Sequence, residues 1–282
     1  MARAKQIGIA VLWILLYAAI GIALTIGISW AVPGWGGREW FVARSGAYEV
    51  IGFGVATYVV GRLLNQMSWE RMGWRGRGRG VTLRLGRGIL GGAIMAAAAI
   101  VLALLVGGSR LARTADASRW ASVALPLAIG LVLAALGEEL MTRGYPLRRL
   151  ADATGPAAAT AVLALIFGLL HVRNPSATLL STVNVALAGV WLSFAYFSAG
   201  GMALAWGLHF GWNAGLSLAF DAPVSGYSFL IPGVEYTPGA RAWIAGGAFG
   251  PEGGIVTTLV LVAGTAAILG KRARAPRSWL TA

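Results

Sequence analysis

Histidine occurs twice in this 282-residue chain, as His171 and His209, and both lie in apolar runs. Of its ten acids, two are adjacent: Glu138-Glu139 follows the apolar stretch 121–137. An ionisable group inside an apolar span costs about 2.5–3.5 kcal/mol on insertion scales and by default marks function. Glu139 and Arg143 are four residues apart with the acid N-terminal, the favourable order for an ion pair on one helix face. Glu138 stands about 100° around the helix from Glu139, so it is unpaired within its own helix. One carboxylate is tied to a cation while its neighbour is free to face something else. That divides the labour between a supporting carboxylate and a working one. Phe167 is placed to wall His171 on one face, and His209 with Asn213 presents a donor pair on another, flanked by Trp206 and Trp212. Two readings compete at this level: buried Glu and His also build proton relays in transporters, and a Glu with two His is a zinc ligand set.

The elements that must position these groups are membrane helices. Hydrophobic residues make up 57% of the chain and charged residues 12%, with a mean hydropathy of +0.72. A soluble domain carries about 25% charged residues, and a soluble protein of this composition would expose oversized apolar patches. The expected fold is all-α and polytopic, with about eight spans at 7–32, 46–65, 88–108, 121–145, 156–172, 176–197, 201–220 and 254–270. The first run follows Arg3 and Lys5 and is too long for a signal-peptide core of roughly 7–15 residues, so it reads as a retained span. No halves with matching broken helices are visible, which weighs against a transporter. Asp152, Thr154, Gly155 and Pro156 supply turn chemistry centred near Ala153. Glu138 precedes that centre by 15 residues and His171 follows it by 18, so at about 1.5 Å per residue their depths differ by only ~5 Å. Helix four must extend beyond the membrane for this alignment, and Arg148 and Arg149 at its end allow that.

The net charge of +13 comes from basic blocks between apolar runs. Eight spans place 16 Lys and Arg on the side of the termini and 7 on the other, so the positive-inside rule puts both termini in the cytoplasm. The stretch 75–80, with Arg75, Arg77 and Arg79, resembles an RNA-binding tract only superficially; it reads as a loop near anionic headgroups, with no nucleic-acid partner. Trp30, Trp35, Trp40, Trp69, Trp74 and Trp120 fall near span ends as interfacial anchors. The connection 221–253 is rich in Pro and Gly, and its apolar segments 229–231 and 243–245 suggest a partly re-entrant lid. Glu252 is expected to serve the dipole of the last helix. Cysteine is absent, which excludes disulfides and thiolate chemistry.

Glu138-Glu139-Leu-Met-Thr-Arg143 fits the pattern EExxxR, Phe167-Gly-Leu-Leu-His171 fits FxxxH, and His209-Phe-Gly-Trp-Asn213 fits HxxxN. In this order the chain resembles the CAAX-processing and bacteriocin-processing (CPBP) membrane proteases, which include CAAX prenyl endopeptidases and lysostaphin-resistance proteins. The resemblance covers roughly 121–217 and divides the chain into N-terminal helices 1–120, the protease-like core, and a segment 218–282 with the external loop, last helix and basic tail. It implies an intramembrane endopeptidase acting on a peptide or membrane-protein substrate. Glu138 would be the base that activates water, with His171 holding that water. Glu139 and Arg143 would support them, and His209 and Asn213 would bind the oxyanion. It implies no cofactor, or else zinc on Glu138, His171 and His209. The small, Gly-, Ala- and Arg-rich chain looks like a bacterial plasma-membrane protein, so a prenylated substrate is not implied. The alternatives are a non-catalytic scaffold or immunity-type protein, and a proton-coupled transporter.

Overall fold

The computed structural model describes residues 2–32, 34, 35, 37, 40–76, 78–114 and 117–273, with backbone alone for Ala2, Ala117 and 271–273. Arg77 of the basic loop and the tail beyond residue 273 fall outside this set. The helices are α1 (Ala2–Ala31), α2 (Phe41–Ala56), α3 (Arg79–Gly107), α4 (Trp120–Thr142) and α5 (Gly144–Thr154). They continue with α6 (Pro156–Leu170), α7 (Leu179–Phe197), α8 (Gly201–Phe220), the single turn α9 (Ala242–Ala245) and α10 (Ile255–Ala273). Five segments are long and apolar enough to cross a membrane: Arg3–Ala31, Phe41–Leu64, Arg79–Gly107, Trp120–Thr154 and Leu179–Phe197. Large aliphatic side chains such as Leu12, Leu90, Leu105, Leu125 and Leu179 face outward from these helices. This is an all-α, multi-pass membrane protein.

Helices also occupy the other three expected spans, but they differ in kind. Pro156–Leu170 and Ile255–Gly270 are shorter apolar helices. Helix α8 is almost wholly enclosed by its neighbours, so its surface needs little lipid-compatible hydropathy and can carry His209, Asn213 and two tryptophans.

Small residues decide which helices meet, since without water to expel, membrane helices associate by close backbone packing. Along the α3–α8 crossing, a methyl on Gly88 would lie 2.7 Å from Leu204 O, and one on Gly215 would lie 2.8 Å from Ala96 Cβ. The α2–α4 crossing is built alike: a methyl on Gly46 would meet Ala134 N at 2.6 Å, and one on Gly130 would meet Ala43 N at 2.7 Å. Helix α7 is joined to α6 through Gly189, where a methyl would sit 2.9 Å from Ala164 Cα.

Several boundaries differ from the sequence expectation. The fourth helix does not end in a turn over 146–155; it breaks at Arg143 (φ −107°, ψ −69°) and resumes as α5 through Thr154. Ala153 is therefore helical. The turn is made by Gly155 at φ 93°, with Pro156 in the first position of α6, where its missing N–H costs no hydrogen bond. Helix α6 stops at Leu170, which puts His171 in the cap position rather than in the span (φ −96°, ψ 0°). A reciprocal capping box starts α7: Ser181 N donates to Thr178 Oγ1 and Thr178 N donates to Ser181 Oγ.

One end of the bundle gathers the N-terminus and three connections. The exposed Arg3 donates to Thr154 O, Arg71 pairs with Asp152 at 3.0 Å, and Met202 N donates to Gly73 O at 2.9 Å. Trp74 is half-buried and packs against buried side chains there. At the opposite end β1 (Arg110–Arg113) pairs antiparallel with β2 (Val234–Thr237). This ribbon is an addition that helical periodicity could not announce. The connection after α8 docks on the bundle: Phe229 and Ile231 pack with Leu127 and Leu131, and Ile244 and Ala245 join the α3–α8 core.

Overpacking a close crossing typically costs 1–3 kcal/mol. Gly88→Val is expected to lower stability by about 3 kcal/mol, read as a lower melting temperature in detergent. Gly54→Ala, where a methyl would meet nothing within 4 Å, should leave it unchanged.

Candidate active site

Glu139 is the most enclosed charged group among the described residues. Its side chain has no exposed surface, and Oε1 accepts from Arg143 Nη1 at 2.5 Å and from His209 Nδ1 at 2.9 Å. The first contact is local, one helical turn along α4. The second reaches α8, 70 residues on. The Arg143 guanidinium lies over the Phe167 ring, 4.6 Å from its centroid, where the negative face of the ring attracts a cation. The same ring meets His171 edge-on at 4.9 Å and His209 at 6.0 Å between centroids. Phe167 is thus a hub for three charged or polar groups, not merely a wall for His171.

Both imidazoles are held by Nδ1. That of His171 lies 2.8 Å from the Phe167 carbonyl oxygen, an acceptor, so Nδ1 carries the hydrogen. That of His209 is bound to the Glu139 carboxylate. Each ring therefore points Nε2 at the third group, Glu138, whose Oε2 is 3.9 Å from His171 Nε2 and 3.7 Å from His209 Nε2. These separations are beyond direct hydrogen bonding, and Glu138 Oε2 is buried without a partner. Glu138 and Glu139 diverge around α4 as the 100° step requires.

Asn213, one turn beyond His209 on α8, lines a chamber of about 30 Å³ together with both histidines, Trp191, Trp212 and Glu252. The histidines connect this chamber to Glu138. Trp206 does not enter it; its Nε1 donates to Val132 O at 3.0 Å and ties α8 to α4.

Glu252 departs from the expectation that it serves the dipole of the last helix. It sits in a 3₁₀ turn (Pro251–Gly253) ahead of α10 and turns its carboxylate inward. Oε1 accepts from Trp212 Nε1 at 2.8 Å, and Oε2 accepts from the backbone N–H and hydroxyl of Ser225. Asn184 of α7 donates to the backbone carbonyls of Glu252 and Gly254 at 2.7 and 2.9 Å. These contacts tie the loop after α8 to α7 and α8 around the chamber.

The motifs do not mark Glu49 of α2. Its side chain lies where α2 crosses α4, so that a methyl on Gly137 would sit 2.7 Å from Glu49 Cβ and 2.9 Å from its Oε2. Gly137 is the neighbour of Glu138, so Glu49 approaches that carboxylate's stretch of α4. The signal was present in the sequence, since Glu49 is an acid inside the expected span 46–65, but nothing in its spacing named a partner on α4.

Residues 119–215 match the family described as type II CAAX prenyl endopeptidase Rce1-like. That segment, about a third of the chain, is similar to the Rce1-like family. The matched segment runs from the start of α4 to the middle of α8 and holds all three motifs, in agreement with the CPBP resemblance. No curated protein matches the chain. Glu49, Ser225 and Glu252 lie outside the Rce1-like segment, on elements that pack around it.

Removing one partner of a buried ion pair strands the other charge, which costs roughly 3–5 kcal/mol. Arg143→Ala is therefore expected to destabilise the protein by about that amount. Arg143→Lys should rescue little, because an ammonium cannot reproduce the flat guanidinium over Phe167. Thermal melts of the two variants in detergent check both outcomes.

Proposed function

We propose that this protein is an intramembrane endopeptidase in which Glu138 activates a water molecule. The observation that carries the reading is the unpartnered Glu138 Oε2 facing two imidazole Nε2 atoms at 3.7 and 3.9 Å. A molecule hydrogen-bonded to the carboxylate and to His171 Nε2 fits that gap, and Glu138 takes its proton as it attacks the scissile carbonyl. With hydrogen on the Nδ1 that faces the Phe167 carbonyl, the His171 tautomer leaves Nε2 as an acceptor, which suits it to orient the water. His209 and Asn213 supply donors for the developing oxyanion. The donor form of His209 carries hydrogen on both ring nitrogens, and Glu139 balances its charge. Arg143 in turn balances Glu139, and Phe167 packs all three in place. The proton held by Glu138 then passes to the leaving amine, completing hydrolysis. The Rce1-like match supports a peptidase, and it is the family's printed name, not this chain's chemistry, that refers to prenylated CAAX substrates.

The donor chemistry of Glu138, His171 and His209 also suits zinc, which when bound would polarise the carbonyl and acidify water. Their spacing favours water. Tetrahedral zinc with bonds of 2.0–2.1 Å needs ligand atoms about 3.3 Å apart, closer than the distances between Glu138 and either imidazole. Among the described residues no group of three or more His, Cys, Asp or Glu is placed to hold a metal ion.

Glu138→Gln is expected to abolish cleavage of a quenched peptide library by the purified protein without changing its melting temperature. Loss of an oxyanion donor in Asn213→Ala should lower kcat about 10²-fold. Activity should persist in a chelator at substoichiometric metal content. Full cleavage by the Glu138→Gln protein would sink the proposal, and activity that tracks one bound zinc per chain would replace it with a metal mechanism.

A further inference from the structure

Glu252 lines the chamber beside His209 and Asn213, and its charge is left unbalanced there. The residue is only 8% exposed. Trp212 Nε1 donates to Oε1 at 2.8 Å, and the backbone N–H and hydroxyl of Ser225 donate to Oε2. All three donors are neutral, and among the described residues no cation pairs with this carboxylate. Neutral donors satisfy its hydrogen bonds, but a buried charge without a counter-charge remains costly. The other wall does not supply the missing cation. His209, with hydrogen on both ring nitrogens in the proposed reaction, is bound to Glu139 at 2.9 Å and faces Glu138 at 3.7 Å. Arg143 also pairs with Glu139, so two cations there meet two carboxylates. Those four charges cancel, and Glu252 leaves one negative charge over.

A carboxylate offers about four acceptor sites, and three donors engage Glu252, so Oε1 keeps one site for a ligand. Trp191 and Trp212 belong to the same walls and meet edge to face at 6.3 Å between centroids. Indole is the side chain that best attracts a cation. The chamber is partly open, so a ligand can place one group inside while the rest of it lies outside. From this we infer that the chamber is a cation subsite, where Glu252 and the indoles receive an ammonium or guanidinium group of the substrate. Asn213 and His209 share its walls, so the cation belongs to a residue close to the scissile bond. Two sources carry that chemistry: a Lys or Arg side chain, or the free amino terminus of a peptide. The inference rests on the endopeptidase reading for the position of the cation, and on the unbalanced Glu252 for its charge.

The test uses peptides with Lys or norleucine, its uncharged counterpart, at single positions, each with a free or an acetylated amino terminus. They are cleaved by the full-length protein in detergent. Their binding to Glu138→Gln protein, with and without Glu252→Gln, is measured alongside. The charged member of a pair should exceed the neutral one at least tenfold in kcat/KM and in binding, and Glu252→Gln should bring both ratios close to one. A ratio within one protein does not depend on how much of that protein is folded. A Lys preference that survives acetylation assigns the cation to the side chain, and a preference for the free over the acetylated terminus assigns it to the terminus. Equal values within both pairs overturn the subsite and leave the endopeptidase reading standing. This comparison needs only wild-type protein, so a misfolded Glu252→Gln variant does not shelter the proposal. A preference that persists in well-folded Glu252→Gln protein also overturns the subsite. Charge-ordered binding with no cleavage by wild-type protein would keep the subsite and overturn the endopeptidase reading. Peptides that neither bind nor are cleaved overturn both.

Discussion

A carboxylate with no exposed surface must be met by cations or donors, and much of the site's arrangement follows from how Glu139 is met. Arg143 satisfies it from the next turn of α4 and His209 from α8. That shared oxygen fixes the rotation of α8 against α4 and aims the His209 ring. The guanidinium in turn lies flat on Phe167, which orients a ring from α6. Three helices are thus keyed to one buried charge in a medium where an unpaired charge is costly. The second carboxylate, Glu138, is adjacent in sequence but about a hundred degrees away around the helix.

Positioning of this order needs a frame that does not shift, and small residues supply it. Gly88, Gly92, Gly207, Gly211 and Gly215 let α3 and α8 approach backbone to backbone, while Gly46, Gly130 and Gly137 do the same for α2 and α4. In the second case the close approach also delivers Glu49 to the neighbourhood of Glu138. The loop after α8 completes the enclosure. It reaches the chamber through Glu252 and Ser225 and is pinned by Asn184 and Trp212, so residues outside the Rce1-like segment shape the space that segment works in.

The boundary at Arg143 shows how fold and site are coupled. The break between α4 and α5 falls on the residue whose side chain must turn inward to Glu139 and Phe167. The end of α6 behaves similarly: His171 occupies the cap, so its Nδ1 can reach the Phe167 carbonyl while its Nε2 faces across to α4. A histidine one turn earlier would have had its ring on the helix flank.

Much of this was legible in the residues themselves. The apolar runs located the helices, because twenty-odd residues without charge have few other fates. The spacing of Glu139 with Arg143 and of Phe167 with His171 gave local contacts, because the 3.6-residue period sets what meets within one helix. The same period says nothing about partners on other helices. It could not show that His209 shares the oxygen that Arg143 holds, that Glu49 lies over Gly137, or that Glu252 turns away from its helix to bond Trp212 and Ser225. Nor could it show that α4 pauses at Arg143 or that a β-ribbon joins residues more than 120 apart in the chain. Those features depend on which helix faces which and how closely. Glycines permit that choice at several competing crossings, and only the packed bundle makes it.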